Sequence, residues 1–63
     1  MEYILSTRIV MAENMLLNDD ASVTEISYAC GFSSTAYFSR VFKERKGETP
    51  LSYRKNGRIL NKM

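Results

Sequence analysis

The sequence predicts an all-α domain, and three features point there. Apolar residues recur at helical spacing in each of four segments. The segments are set apart by capping residues, glycine or proline. The chain has 63 residues, enough for one small domain or a piece of one. A chain this short buries only about 60% of the surface its unfolded form exposes, so its stability is marginal without a staple. One cysteine excludes an internal disulfide, and the absence of histidine removes Cys/His zinc clusters and the histidine-based catalytic arrangements. No apolar run approaches the ~20 residues that span a bilayer. The N-terminus lacks a basic segment followed by an apolar one, the mark of a signal peptide. These exclusions leave a small helical domain that works by binding, without metal or cofactor, expected in the cytoplasm.

The first helix is expected over Glu2 to Leu17, ahead of an Asn18-Asp19-Asp20 turn. Ile4, Leu5, Ile9, Met11, Ala12, Met15 and Leu16 form one wide apolar face on a 3.6-residue period. Tyr3, Val10 and Leu17 fall on the opposite side. A helix apolar on both sides packs on both sides, which points to a preceding module. Scattered exposed apolar residues are the alternative.

The second helix opens on Ser22, with Glu25 three residues on to complete a capping box. It is expected to bury Val23, Ile26 and Cys30, with Ala29 beside them, and to stop at Gly31. Small Ser27 lets another helix cross closely. The third helix is expected from Thr35 to Lys46, capped by Ser33 or Ser34 and ended by Gly47. Tyr37, Phe38, Val41 and Phe42 gather on its packing side. Ala36, Ser39, Arg40 and Lys43 lie opposite, with Thr35 and Lys46 at one edge. A last short helix starts at Thr49-Pro50, where proline's missing N–H is harmless. Leu51 and Tyr53 are available to the core, and fraying or a tail follows Gly57.

Charge is split along the chain. Residues 1–31 carry one base and five acids, whereas residues 32–63 carry eight bases and two acids. This fits a polyanionic partner for the second half, and equally a solvated surface with a basic tail. Two short helices joined by a glycine-containing corner form a helix-turn-helix pattern, whose second helix enters the DNA major groove. Such a helix needs small residues near bases and long cations near phosphates. Thr35, Ala36 and Ser39 are small, whereas Arg40, Lys43 and Lys46 are cationic. Cys30 reads as a small core residue rather than a reactive thiol. Asp19 and Asp20 have no cleft in which to act as catalytic acids, so the chain is not expected to be an enzyme.

These residues resemble the signature of the bacterial AraC/XylS transcriptional regulators, "ITEIA…GFSSxSYFSRVFK…GxTPxxYR". The chain reads "VTEISYACGFSSTAYFSRVFKERKGETPLSYRK", and "RIVMAENMLL" upstream is similar to the family's linker-helix stretch. The resemblance covers residues 2–56. It departs at Ser27, where the family usually has alanine, and at Ala36, where relatives often carry a polar base-reading residue. It implies a long linker helix (1–18), a homeodomain-like helix-turn-helix subdomain (19–58) with its short C-terminal helix, and a tail (59–63). These would be part of a larger unit with two such subdomains, the first of which would pack on the linker helix. It further implies sequence-specific binding of double-stranded DNA by a recognition helix over 34–46. Thr35, Ala36, Ser39 and Arg40 would then face bases. Ser22, Thr24, Ser34, Lys43, Lys46 and Arg54 would meet phosphates, although Arg54 and Tyr53 have an alternative place packed at the base of the last helix. About five neutralised phosphates would give a salt slope, d log K/d log[salt], near −4.5. The other reading is a protein-interaction module that docks on RNA polymerase or another regulator.

Overall fold

Four helices follow in chain order: α1 (Glu2–Asn18), α2 (Val23–Ala29), α3 (Thr35–Lys46) and α4 (Pro50–Asn61). The structure, a computed structural model, describes the backbone of residues 2–61 and the side chains of residues 4–58. Among the described residues every regular element is helical. No helix there is long and apolar enough to cross a membrane.

The helix ends follow the local chemistry of the sequence. The Ser22 hydroxyl accepts from the Glu25 amide at 3.1 Å, and the Glu25 carboxylate accepts from the Ser22 amide at 2.8 Å. The predicted capping box is therefore complete. Cys30 closes α2, and Gly31 then takes φ +90°, a conformation that a side chain would strain. Its amide donates to the Tyr28 carbonyl, and the next amide, of Phe32, donates to the Ser27 carbonyl. The corner is thereby closed and the Phe32 ring driven inward, 4% exposed. Ser34 caps α3 by accepting from the Tyr37 amide at 3.1 Å, and Gly47 ends that helix with φ +82°. Thr49 caps α4 through the Ser52 amide at 3.2 Å.

All four helices share one core. Ile9, Ala12 and Leu16 of α1 meet Ile26 of α2, the corner residues Cys30 and Phe32, and Phe38, Val41 and Phe42 of α3. Tyr53 of α4 packs on its edge. The rings form a chain: Phe32 to Phe38 at 4.9 Å between centroids, Phe38 to Phe42 at 5.7 Å, and Phe42 to Tyr53 at 5.3 Å. These tilted and edge-on contacts suit the aromatic quadrupole. Cys30 is buried with its Sγ 3.9 Å from Met15 Sδ. Burial pushes its thiol pKa up, away from the range of a reactive thiolate.

Several expectations are corrected here. Among the described side chains of α1 only Ile9, Ala12 and Leu16 are buried, whereas Ile4 and Met11 are about half exposed. They line an open groove with Ala29 and Cys30, because the four-helix core is narrower than the apolar stripe. Val10 is exposed, as either reading of that side requires, but Leu17 is not orphaned. Its side chain lies against Gly57 of α4, in space a β-carbon there would need. Tyr3 lies outside the described side chains. Ala29 is exposed rather than set beside the core, Tyr37 keeps a partly open face, and Leu51 is 65% exposed. The last helix is not short: α4 continues through Gly57 to Asn61, so residues 59–61, expected in a tail, are helical. Leu17 fills the place beside Gly57, and Arg58 donates to the Asp19 carbonyl and pairs with Asp20. Tertiary contacts thus carry the helix past a residue that alone disfavours it. The rest of the expected tail, residues 62 and 63, lies outside the described residues.

Candidate nucleic-acid interface

The orientation of α3 is set from behind. Phe38 and Phe42, one turn apart, are both fully buried, and Val41 is nearly so. With that side fixed, helical geometry turns Ala36, Arg40 and Lys43 outward, and all three are exposed. Ser39 is half-buried at their border. The outward side therefore offers short side chains beside long cations.

Arg40 does not hang freely. Its guanidinium carbon lies 5.6 Å from the centroid of the Tyr37 ring, one turn back, within range of a cation–π contact. The Tyr37 ring in turn meets Phe32 edge-on at 5.9 Å. The corner, the ring and the cation form one line from the core to the outward face. The i, i+3 spacing of Tyr37 and Arg40 is the sequence signal for this contact.

Thr35 is placed differently from its outward neighbours. Ser27 is buried, and its hydroxyl donates to the Thr24 carbonyl at 2.7 Å. Its oxygen lies 3.2 Å from Thr35 Oγ1, and since its own proton is committed, Thr35 is the donor. This bond joins α2 to the first turn of α3 and satisfies a polar group in the core. It also gives Ser27, the departure from the family's alanine, a structural role.

Among the residues assigned to phosphates, Ser22 and Ser34 are both helix caps, and Thr24 lies exposed in the first turn of α2. The Glu25 carboxylate closes the same α2 end. Lys43 is exposed. Two other cations have partners on the chain itself, although Lys46 is exposed. Lys46 pairs with Glu13 of α1 at 3.1 Å. Arg54 donates to the carbonyls of Leu16, Asp19 and Ala21, the alternative place the sequence left open for it. Its guanidinium thus ties α4 to the end of α1 and the turn beyond.

Glu13 is the residue that sequence reasoning passed over. One of its oxygens accepts from the Tyr53 hydroxyl at 3.0 Å, and the other faces Lys46. It connects three helices through one carboxylate. Burial and the nearby Glu13 carboxylate push the Tyr53 hydroxyl pKa up, so the donor stays protonated at neutral pH. Nothing in the local pattern marks Glu13, because its partners lie 33 and 40 residues away.

A glycine-cornered pair of short helices, the second fixed from behind by aromatic rings and presenting cations outward, defines a helix-turn-helix unit. Comparison with known proteins agrees. The family model "Helix-turn-helix domain" matches residues 1–56. The chain is 42% identical over 52 residues to the porin thermoregulatory protein EnvY of Escherichia coli K12, covering 82% of this chain and 21% of that protein. It is 42% identical over 60 residues to a urease operon transcriptional activator of Escherichia coli, covering 95% of this chain and 20% of the relative. It is 39% identical over 56 residues to the probable transcription factor PqrA of Proteus vulgaris, covering 89% and 46%. No solved structure matches with comparable significance. The chain belongs to the AraC-type helix-turn-helix family. It spans about a fifth of the length of the first curated relatives it matches.

Proposed function

We propose that the chain binds double-stranded DNA sequence-specifically, within a longer transcriptional regulator, by setting α3 into the major groove. The observation that carries this reading is the two-sidedness of α3: fully buried Phe38 and Phe42 behind, exposed Ala36, Arg40 and Lys43 in front. The groove, about 12 Å wide, takes one helix. Thr35, Ala36, Ser39 and Arg40 are the residues we place at base edges. Arg40 is suited to a bidentate contact with guanine, and Ala36 to a thymine methyl. Lys43 and the hydroxyls of Ser22, Thr24 and Ser34 are placed at phosphates, where they fix register rather than read sequence.

The longer regulator would carry a preceding helix-turn-helix subdomain against α1. Exposed Ile4, Val10 and Met11 support that docking, and so does the small share of its relatives' length that the chain spans. A single groove insertion makes the 63-residue chain alone a weak, poorly selective binder.

Fluorescence anisotropy across a salt series tests the reading. With Lys46 and Arg54 engaged internally, the expected salt slope is shallower than five phosphates would give, by roughly 0.9 for each of the two. Salt-independent binding would count against it. The Arg40→Ala variant should weaken binding to a selected site by about 1–3 kcal/mol and relax preference at one base pair. Undiminished DNA binding in that variant, with a protein partner lost instead, would favour the docking-module reading.

A further inference from the structure

We infer that Glu13 lowers the chain's affinity for the DNA backbone by withholding Lys46 from it. The inference rests on the DNA-binding reading and adds an intramolecular competitor to it. Lys46 stands in the last turn of α3, at the edge of the stripe that carries Thr35, Ser39 and Lys43. It lies seven residues beyond Ser39, about 10 Å along the axis at 1.5 Å per residue. In such units the N-terminal residues of the helix contact base edges, which leaves a cation in its last turn to the backbone rather than the bases. Its flexible arm suits a phosphate as a point charge.

Glu13 stands in the way. Its carboxylate is 3.1 Å from the Lys46 ammonium and does for it what a phosphate oxygen would do. It is itself held in place, since its other oxygen accepts from Tyr53 at 3.0 Å and Tyr53 is anchored edge-on against fully buried Phe42. A carboxylate fixed to the core competes with the phosphate for Lys46 without following it. Cation–phosphate contacts strengthen binding to every sequence about equally and leave the ratio between sequences where it was. Tying up Lys46 lowers affinity for random DNA and leaves the base-reading side of α3 untouched.

The test compares the 63-residue chain with its Glu13→Gln variant on a short duplex of random sequence, across a salt series. Glutamine keeps the side-chain length and an acceptor for Tyr53 but loses the charge that holds Lys46. The expected result is tighter random-duplex binding at low salt and a slope steeper by about 0.9, one additional phosphate. Adding Lys46→Gln to Glu13→Gln should abolish that increment. An unchanged slope in a variant with a wild-type circular dichroism spectrum overturns the inference. So does an increment that survives loss of Lys46, which would reflect only the removal of a negative charge. Should Glu13→Gln melt without cooperativity, Lys46→Gln alone carries the test: a withheld lysine leaves the wild-type slope unchanged when it is removed, whereas a slope flatter by about 0.9 overturns the inference. A wild-type chain that shows no salt-dependent duplex binding refutes the DNA reading itself, and the inference with it. Binding by the wild type with no increment in the variants refutes the inference alone.

Discussion

Phe38→Ala is expected to remove about a third or more of the domain's folding stability. The Phe38 side chain is fully buried between Phe32 and Phe42. Removing a core phenyl ring costs about 3–5 kcal/mol through lost burial and the cavity left behind. A domain of this length has only about 3–9 kcal/mol in total, at roughly 0.05–0.15 kcal/mol per residue. The ring also joins the corner to the recognition helix, so any molecules that remain folded hold α3 loosely. Thermal and urea denaturation followed by circular dichroism measures the effect. Leu51→Ala is the comparison, because Leu51 is 65% exposed and its truncation should leave the midpoint within experimental scatter. A cooperative Phe38→Ala melt close to the wild-type midpoint would show that the aromatic chain is not what holds α3.

The second large effect is expected from Arg54→Met, which keeps most of the aliphatic stem and removes the guanidinium. Three carbonyls then lose a charged donor: Leu16 at 3.0 Å, Asp19 at 3.0 Å and Ala21 at 2.6 Å. Leu16 belongs to the last turn of α1, whose carbonyls have no partner within the helix. Hydrogen bonds to charged groups contribute about 1.5–3 kcal/mol, and buried acceptors left unmet add a penalty. Since the Asp19 carbonyl also accepts from Arg58, the expected loss is about 2–3 kcal/mol rather than a sum over three bonds. The salt slope of DNA binding, measured where the variant is still folded, separates this role from a phosphate contact. A structural clamp leaves the slope where it was, whereas a phosphate contact would flatten it by about 0.9. Wild-type stability with a flattened slope would return Arg54 to the interface.

The local signals of the sequence were dependable where the physics is local. Ser22 with Glu25, Ser34, Thr49, Gly31 and Gly47 act within one helical turn of their own position. The same holds for the division of α3 into buried Phe38 and Phe42 and exposed Ala36, Arg40 and Lys43, because 3.6-residue periodicity fixes the sides of a helix once one side is apolar. Periodicity could not say how wide a stripe its neighbours would cover. Ile4 and Met11 therefore read as core and stand half open. Nor could it say that Gly57 would lie inside a helix, since glycine is a poor helix former until a partner such as Leu17 occupies the space beside it.

What the sequence alone determined is the all-α class, the helix-turn-helix corner and which side of α3 faces out. Each follows from interactions among residues a few positions apart. What only the tertiary structure decided is which cations remain available to a partner. Arg40 and Lys43 stay exposed on α3, whereas Lys46, also exposed, is paired with Glu13 and Arg54 is bonded to the end of α1. A basic side chain reads the same in a sequence whether its charge meets solvent or a carboxylate 33 residues away. Only packing brings such partners within the few ångströms over which hydrogen bonds and ion pairs act.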